Sequence, residues 1–247
     1  MNLDSIGVLF RSGPRNLLRV VRRKLLSPPV GAVDFGDLRT LEPVSRLFGF
    51  DRGTPIDRYY IEQFLERNSG LVTGACLEIA DAEYTLRFGR NVTRSDILYV
   101  DDSLPTANVV GDLTDLRTVR DNTYDCLIAT QTLQFIYEIR TAIAEIHRVL
   151  SPGGSCLCTI SACAQISRYD MDRWGEYWRM TSIAARRLFE ESFDGENIEV
   201  QAYGNVLAAV AGFHGLTAEE LSPRELDFQD PDYELVVTIR ATKARNL

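Results

Sequence analysis

The sequence predicts an α/β fold in which helices cover both faces of a mostly parallel sheet of seven strands. From residue 75 onward, apolar runs of strand length alternate with segments of helical periodicity, which is the pattern of βα units. A length of 247 residues suits one domain with at most a small appendage. The 45% hydrophobic and 25% charged content is ordinary for a globular protein, so a buried core needs no disulfide or metal.

Residues 1–55 are expected to form an N-terminal helical extension, and residues 56–247 the main domain. Within the extension, basic residues alternate with leucines and valines between residues 11 and 26, which predicts a short basic amphipathic helix ended by Pro28 and Pro29. Such a helix can dock on an anionic membrane surface or an acidic partner. The alternative, which we favour, is a solvated helix packed by its leucines on the main domain.

The main domain is predicted to begin with a helix, Ile56–Asn68. The seven expected strands are Ala75–Ile79, Asn91–Asp96, Ala107–Val110, Tyr124–Ala129, Ser155–Ser161, Ile198–Tyr203 and Tyr233–Thr242. Helices are expected at Ile136–Leu150 and Thr181–Phe193, with a helical insertion near Val206–Leu221 before the last strand.

Charge and cysteine content narrow the function classes. The 27 Lys+Arg against 35 Asp+Glu give 27 − 35 = −8, which disfavours nucleic-acid binding and makes a small molecule the expected partner. The five cysteines form no CxxC pair and have no histidine at metal-ligand spacing, so we expect free thiols, no metal and a reducing, cytoplasmic location. The longest uncharged apolar run, residues 206–213, is too short for a membrane span.

Acidic residues follow the predicted strands where a ligand should bind. In an open parallel sheet, ligands lie beyond the carboxyl ends of the strands, near the point where the strand order reverses. These ends carry Glu78, Asp96, Asp112 and the pair Thr130–Gln131. Carboxylates there suit hydroxyls and amines better than phosphates, so a nucleoside carrying an amino acid fits better than a dinucleotide.

One block of sequence is more specific than the rest. The strand that starts with Tyr124-Asp125 leads into a helix, and that helix ends in Arg148-Val-Leu-Ser-Pro-Gly-Gly154. Pro152 stops the helix, and the two glycines permit the turn into the next strand. This block resembles the fourth-to-fifth-strand segment of class I S-adenosylmethionine-dependent methyltransferases of the methyltransferase type 11 group, and the wider resemblance runs from about residue 56 to residue 243. It implies a Rossmann-like fold with S-adenosylmethionine as cofactor.

The resemblance also implies cofactor-binding positions, residue by residue. Glu78, with Ile79 and Ala80 after it, matches the acid that orients the loop around the amino-acid portion. Asp96 matches the acid that binds the ribose hydroxyls, with Ile97 beside the adenine; Asp101 and Asp102 are competing choices. Asp112 and Leu113 match the pair at the adenine edge, and Thr130 and Gln131 match the residues under the methionine portion. Each acid could instead be a helix cap.

The first loop departs from the family pattern. An acid-x-Gly-x-Gly-x-Gly sequence is usual, whereas this chain has Glu78-Ile-Ala-Asp-Ala-Glu-Tyr84 with every glycine replaced. Each misfit costs on the order of 1 kcal/mol or more. We expect Tyr84 to lie against the cofactor and to replace part of the missing backbone contact. The same absence of glycines counts against a nicotinamide-dependent dehydrogenase.

The segment after the fifth strand, residues 166–181, is expected to bind the methyl acceptor. Its aromatic and charged residues suit a sugar or another polyhydroxylated molecule. The predicted substrate-binding residues are Tyr169, Arg173, Trp174, Tyr177 and Trp178, although the tryptophans could equally be core anchors. His214 and Asp170 are the candidate catalytic bases, whereas His147 is expected to be structural.

These observations predict methyl transfer from S-adenosylmethionine to an oxygen of a small polar metabolite such as a sugar or secondary metabolite, with nitrogen as second choice. The alternative is a methyltransferase-fold protein without transfer activity that serves as a binding subunit or cyclisation scaffold, which the altered glycine loop favours. An RNA methyltransferase would need a basic channel that the acidic domain does not supply. The oligomeric state stays open.

Overall fold

The computed structural model describes residues 27–245 and divides the chain into two compact units at residues 41 and 42. The predicted basic helix at residues 11–26 lies outside the described residues. In the first unit, the described part contains one 3₁₀ turn, Gly36–Leu38. Residues 42–55, which the sequence assigned to the extension, belong to the larger unit, where the backbone N–H groups of Val44 and Ser45 both donate to the His214 carbonyl.

The larger unit is built on a seven-stranded sheet, which confirms the predicted fold class. The strands are β1 (Gly74–Ile79), β2 (Val92–Tyr99), β3 (Val109–Val110), β4 (Tyr124–Thr130), β5 (Leu150–Ser161), β6 (Ile198–Tyr203) and β7 (Val236–Thr242). Their order is β3-β2-β1-β4-β5-β7-β6. Five strands are parallel, and β7 pairs antiparallel with both β5 and β6. Strand β2 runs three residues beyond the predicted end at Asp96.

Seven helices are described in this unit. They are α1 (Ile56–Arg67), α2 (Glu83–Phe88), α3 (Ile139–Val149), α4 (Arg168–Met171), α5 (Ser182–Phe189), α6 (Val206–His214) and α7 (Pro223–Asp227). Apolar residues of α3 and α5 pack on one face of the sheet, and those of α1, α2 and α6 on the other. Helix α3 starts three residues later than predicted because a 3₁₀ turn, Leu133–Phe135, precedes it. Helix α5 is capped by Thr181 and ends at Phe189, four residues before the predicted end.

The strand order reverses beside β1. Strands β2 and β3 extend the sheet to one side of β1, whereas β4 and β5 extend it to the other. The connections that leave β1 and β4 therefore diverge and open a crevice at the carboxyl ends of these strands. Glu78 lies next to the end of β1 and Thr130 at the end of β4, so this crevice is where the sequence placed the ligand.

Candidate active site

A cavity of about 800 Å³ lies at the carboxyl ends of the parallel strands. One wall is formed by residues that follow β1, β3 and β4, together with the end of β2. The other wall is formed largely by residues 165–180, which we call the substrate loop. Eight of the ten predicted cofactor residues line this cavity: Glu78, Ile79, Ala80, Tyr84, Asp112, Leu113, Thr130 and Gln131.

Glu78 anchors the loop between β1 and α2. Its two carboxylate oxygens accept the backbone N–H groups of Tyr84, at 3.0 Å, and Thr85, at 2.7 Å, in the first turn of α2. The side chain is only 2% exposed. Burial raises the pKa of Glu78 to about 8, although the hydrogen bonds from Thr85 act in the opposite direction. The carboxyl thus fixes the path of the loop that replaces the family's glycine loop.

Ala80 takes the backbone conformation that a glycine would favour. Its φ of 72° lies in the left-handed region, and its N–H donates to the Leu98 carbonyl at 2.9 Å. For a residue with a Cβ this conformation costs about 1–2 kcal/mol. The loop therefore retains a glycine-like turn at Ala80 without a glycine.

Tyr84 is buried at 3% exposure and forms part of a stacked group that the sequence did not predict. The Arg58 guanidinium lies 5.4 Å from the Tyr84 ring centroid and 5.5 Å from that of Phe50, and it donates to the Tyr84 hydroxyl. All three residues line the cavity. Within residues 27–245, Arg58 has no carboxylate in ion-pair contact. The sequence feature that could have indicated this group is the arginine in the first turn of α1, the helix that precedes β1.

Asp96 and Ile97, which the sequence predicts at the cofactor site, do not line the cavity. Asp96 lies inside β2, not at its end, and its carboxylate accepts the Tyr124 hydroxyl at 2.8 Å and the Asn108 amide at 2.9 Å. Arg94 forms an ion pair with the same carboxylate at 3.0 Å. Asp96 therefore ties β2 to β4 and to the segment before β3.

The competing choice, Asp101, follows the end of β2 by two residues and accepts the Ser103 N–H at 2.9 Å. Its neighbour Val100 lines the cavity. Asp101 itself, like Asp96, does not line the cavity.

The segment that follows β4 has an unusual backbone conformation at Gln131. Gln131 has a φ of 49°, and its N–H donates to the Thr159 carbonyl at 2.9 Å. Its side-chain oxygen accepts the Gln134 amide at 2.8 Å. Gln134 is 3% exposed and lines the cavity, and its own side-chain oxygen has no hydrogen-bond partner. A buried acceptor without a donor is costly, so this wall is suited to a ligand that carries N–H or O–H groups.

Four of the five predicted substrate residues line the cavity: Tyr169, Arg173, Trp174 and Tyr177. The Trp174 ring meets Tyr99 edge-on at 6.4 Å, and the Tyr177 ring meets Tyr137 at 5.3 Å. The backbone N–H of Tyr177 donates to the Gln134 carbonyl at 2.8 Å, which joins the substrate loop to the segment after β4.

Trp178, the fifth predicted substrate residue, does not line the cavity. Its ring stacks on Tyr137 at 6.0 Å, and its indole N–H donates to the Ile136 carbonyl at 2.9 Å. Trp178 is thus an anchor of the loop, which was the alternative for the tryptophans.

The two candidate bases are separated by the structure. Asp170 lines the cavity and accepts the Ser167 hydroxyl at 2.6 Å. His214 does not line the cavity; it ends α6, where its carbonyl accepts two N–H groups from residues 44 and 45. His214 therefore lies outside the cavity wall, at the attachment point of the segment before α1.

The described residues contain neither a cluster of metal ligands nor a membrane-spanning helix. Between residues 27 and 245, no group of three or more His, Cys, Asp or Glu could hold a metal ion. No helix in that part of the chain has the length and apolar character needed to cross a membrane.

Comparison with known proteins agrees with this architecture. Residues 70–158 match the family model of a methyltransferase domain. An S-adenosylmethionine-dependent methyltransferase from Mesorhizobium loti has a TM-score of 0.51 and 15% identity, covering 76% of this chain and 98% of that chain. One from Archaeoglobus fulgidus has a TM-score of 0.51 and 10% identity, covering 75% and 94%. The [4+2]-cyclase SpnF has a TM-score of 0.50 and 17% identity, covering 79% and 85%. No curated protein sequence matches the chain.

The sheet order and the crevice beside β1 define the class I methyltransferase fold. Residues 70–158 within this fold match a methyltransferase domain, and S-adenosylmethionine-dependent methyltransferases are among the solved structures that share the fold.

The raised pKa of Glu78 predicts a specific pH dependence of stability in the ligand-free protein. A carboxyl that is more easily protonated in the folded state stabilises the fold below its unfolded pKa, and that contribution is lost as pH rises through about 8. Glu78→Gln removes this titration. The melting temperature of the wild type should therefore fall relative to Glu78→Gln between pH 5 and pH 9. Parallel curves for the two proteins over that range would contradict the prediction.

Asp96→Ala should destabilise the fold without weakening cofactor binding. The substitution leaves Tyr124 and Asn108 without their shared acceptor, which costs about 2–3 kcal/mol. Urea unfolding measures this loss, and calorimetric titration of the folded variant with S-adenosylhomocysteine should give an affinity within twofold of the wild type. A tenfold loss of affinity would return Asp96 to the cofactor site.

Proposed function

We propose that this protein transfers the methyl group of S-adenosylmethionine to an oxygen of a small, polar, hydroxylated molecule, of which a sugar is the leading example. One observation carries the proposal: a single cavity is shared by the loop after β1 and by the substrate loop. A cofactor on the first wall and an acceptor on the second would share one enclosed space, as direct transfer requires.

Arg58 supports the binding of the cofactor. Its guanidinium lies against two aromatic rings and interacts electrostatically with the neighbouring Asp57, but no described carboxylate forms an ion pair with it. Its remaining N–H donors could therefore pair with the carboxylate of the cofactor's methionine portion. Asp112, which also lines the cavity, would accept from the adenine amine, and Tyr84 would close the wall that the family opens with glycines.

The bound cofactor supplies an electrophilic methyl group, so the protein needs to align the acceptor and to remove one proton. The aromatic rings of Tyr169, Trp174 and Tyr177 would hold the acceptor, and Asp170 would receive its proton. Ser167 donates to Asp170 and fixes the position of that carboxylate.

One observation supports a second candidate, a binding or cyclisation scaffold without transfer activity. The loop after β1 has no glycine, and Tyr84 occupies space beside it. SpnF, a cyclase, has the same fold, so the fold itself does not require transfer. Calorimetric titration separates the candidates: micromolar binding of both S-adenosylmethionine and S-adenosylhomocysteine supports transfer, whereas no binding at millimolar concentration supports the scaffold.

Arg58→Gln should weaken S-adenosylhomocysteine binding at least tenfold, because a charge-assisted pair with the ligand carboxylate contributes about 1.5–3 kcal/mol. The matched control is Arg52→Gln, since Arg52 pairs with Glu220 and does not line the cavity. Calorimetry of both variants makes the comparison. Equal affinities for the two variants would remove Arg58 from the cofactor site.

Asp170→Asn and Tyr177→Ala should lower methyl transfer at least tenfold while cofactor affinity stays within twofold of the wild type. Both residues line the acceptor side of the cavity, so their loss affects the acceptor or the transition state. His214→Ala is the control and should retain transfer. The measurement is transfer of tritium from methyl-labelled cofactor to each of a panel of hydroxylated acceptors. Wild-type turnover in both loop variants would refute the assignment.

A further inference from the structure

The charges of the substrate loop are paired unequally. The loop contains three arginines, Arg168, Arg173 and Arg179, and three acids, Asp170, Asp172 and Glu176. Arg168 pairs with Asp172 at 3.8 Å, and Arg179 pairs with Glu176. These two pairs leave Arg173 and Asp170 as the members of the loop without an ion-pair partner inside it.

Arg173 is held in place by neutral groups. Its guanidinium lies 3.5 Å from the centroid of the Tyr169 ring, and one of its N–H groups donates to the Tyr169 carbonyl at 2.7 Å. No carboxylate in the described part of the chain forms an ion pair with it. A guanidinium has five N–H donors, so most of its hydrogen-bonding capacity is unused.

Arg173, Tyr169 and Asp170 all line the cavity, whereas Arg168 does not. Arg179 lines the cavity too, but it is paired with Glu176, so Arg173 is the loop arginine that reaches the ligand space without an ion-pair partner. A guanidinium held against an aromatic face is pre-oriented for a planar or tetrahedral anion, because less side-chain freedom is lost when the anion binds.

We propose that Arg173 and Tyr169 bind an anionic group of the methyl acceptor, so that the acceptor is a hydroxylated molecule bearing a carboxylate or a phosphate. This inference rests on the proposed function, because it places the acceptor in the same cavity. The cofactor's own carboxylate is assigned to Arg58, which lies against the loop after β1, so the two arginines bind different anions.

The intrinsic fluorescence of the protein reports on this site directly. The chain has two tryptophans, Trp174 and Trp178, and both belong to the substrate loop. Four probes can be titrated in the presence of S-adenosylhomocysteine: D-glucuronate, D-glucose 6-phosphate, D-glucose and inorganic phosphate. At least one of the two anionic sugars should bind at least tenfold more tightly than D-glucose, and the stronger of the two identifies the anion as carboxylate or phosphate.

Arg173→Gln should abolish this preference for the anionic sugar, so that it binds no more tightly than D-glucose. Arg168→Gln is the matched control, because it removes an arginine of the same loop that is already paired and lies outside the cavity. It should retain the preference. Tyr169→Phe keeps the ring and should also retain it, whereas Tyr169→Ala should lose part of it because the guanidinium is no longer supported.

Three results would overturn the proposal: D-glucose and both anionic sugars binding alike or not at all, Arg168→Gln losing as much as Arg173→Gln, or inorganic phosphate binding as tightly as the preferred anionic sugar. The last result would show an anion site that does not recognise a hydroxylated acceptor.

Calorimetry with S-adenosylhomocysteine on the same samples distinguishes failure of the anion site from failure of the proposed transfer function. If the cofactor product binds and the sugars are not discriminated, the anion site fails alone. If discrimination holds without cofactor binding, the proposed transfer function fails alone.

Discussion

The buried carboxyl of Glu78 is the interaction on which the ligand-binding side of the sheet depends. It joins the end of β1 to the first turn of α2 through two backbone N–H groups, and thereby sets the path of the loop between them. That path brings Ala80 and Tyr84 to the cavity, and Tyr84 in turn supports Arg58. In the resembled family, glycines let the backbone of this loop approach the cofactor closely. In this chain the loop is held instead by the Glu78 carboxyl and by the ring of Tyr84.

The sheet could be predicted from sequence because its strands are apolar runs separated by clear helical periods. The site residues were harder to predict where the role of a residue depended on the exact end of a strand. Asp96 was placed at a strand end because Ile97 and Leu98 were assigned to the following loop, whereas β2 continues to Tyr99 and makes Asp96 a link between strands. A shift of three residues therefore changed a proposed ligand group into a structural one. Apolar alternation shows where a strand exists more securely than where it ends.

Contacts between segments distant in sequence account for the other differences. Phe50 reaches the site on the segment before α1, which is attached to His214, and Arg58 reaches it from the first turn of α1; no local sequence pattern reveals either position. The same attachment explains why His214, which lies in the expected insertion, is absent from the cavity wall. Trp178 and Trp174 have similar sequence surroundings, yet it is Trp178 that donates to the Ile136 carbonyl and stacks on Tyr137, whereas Trp174 meets Tyr99. Residue type indicated the chemistry of these positions, and tertiary packing selected which of them reach the ligand.

The left-handed turn at Ala80 has a consequence for how sequence motifs are understood. The glycines of a nucleotide-binding loop are needed because they allow left-handed backbone conformations. An alanine can adopt such a conformation, as Ala80 does here, if stabilising contacts offset a strain of about 1–2 kcal/mol. In this chain the Leu98 carbonyl and the Glu78 carboxyl supply such contacts. A comparison of residue types finds that the glycine motif is lost in this loop. A comparison of backbone dihedral angles finds that the glycine-like conformation is retained at Ala80. Divergence in this loop is thus greater at the level of residues than at the level of the backbone.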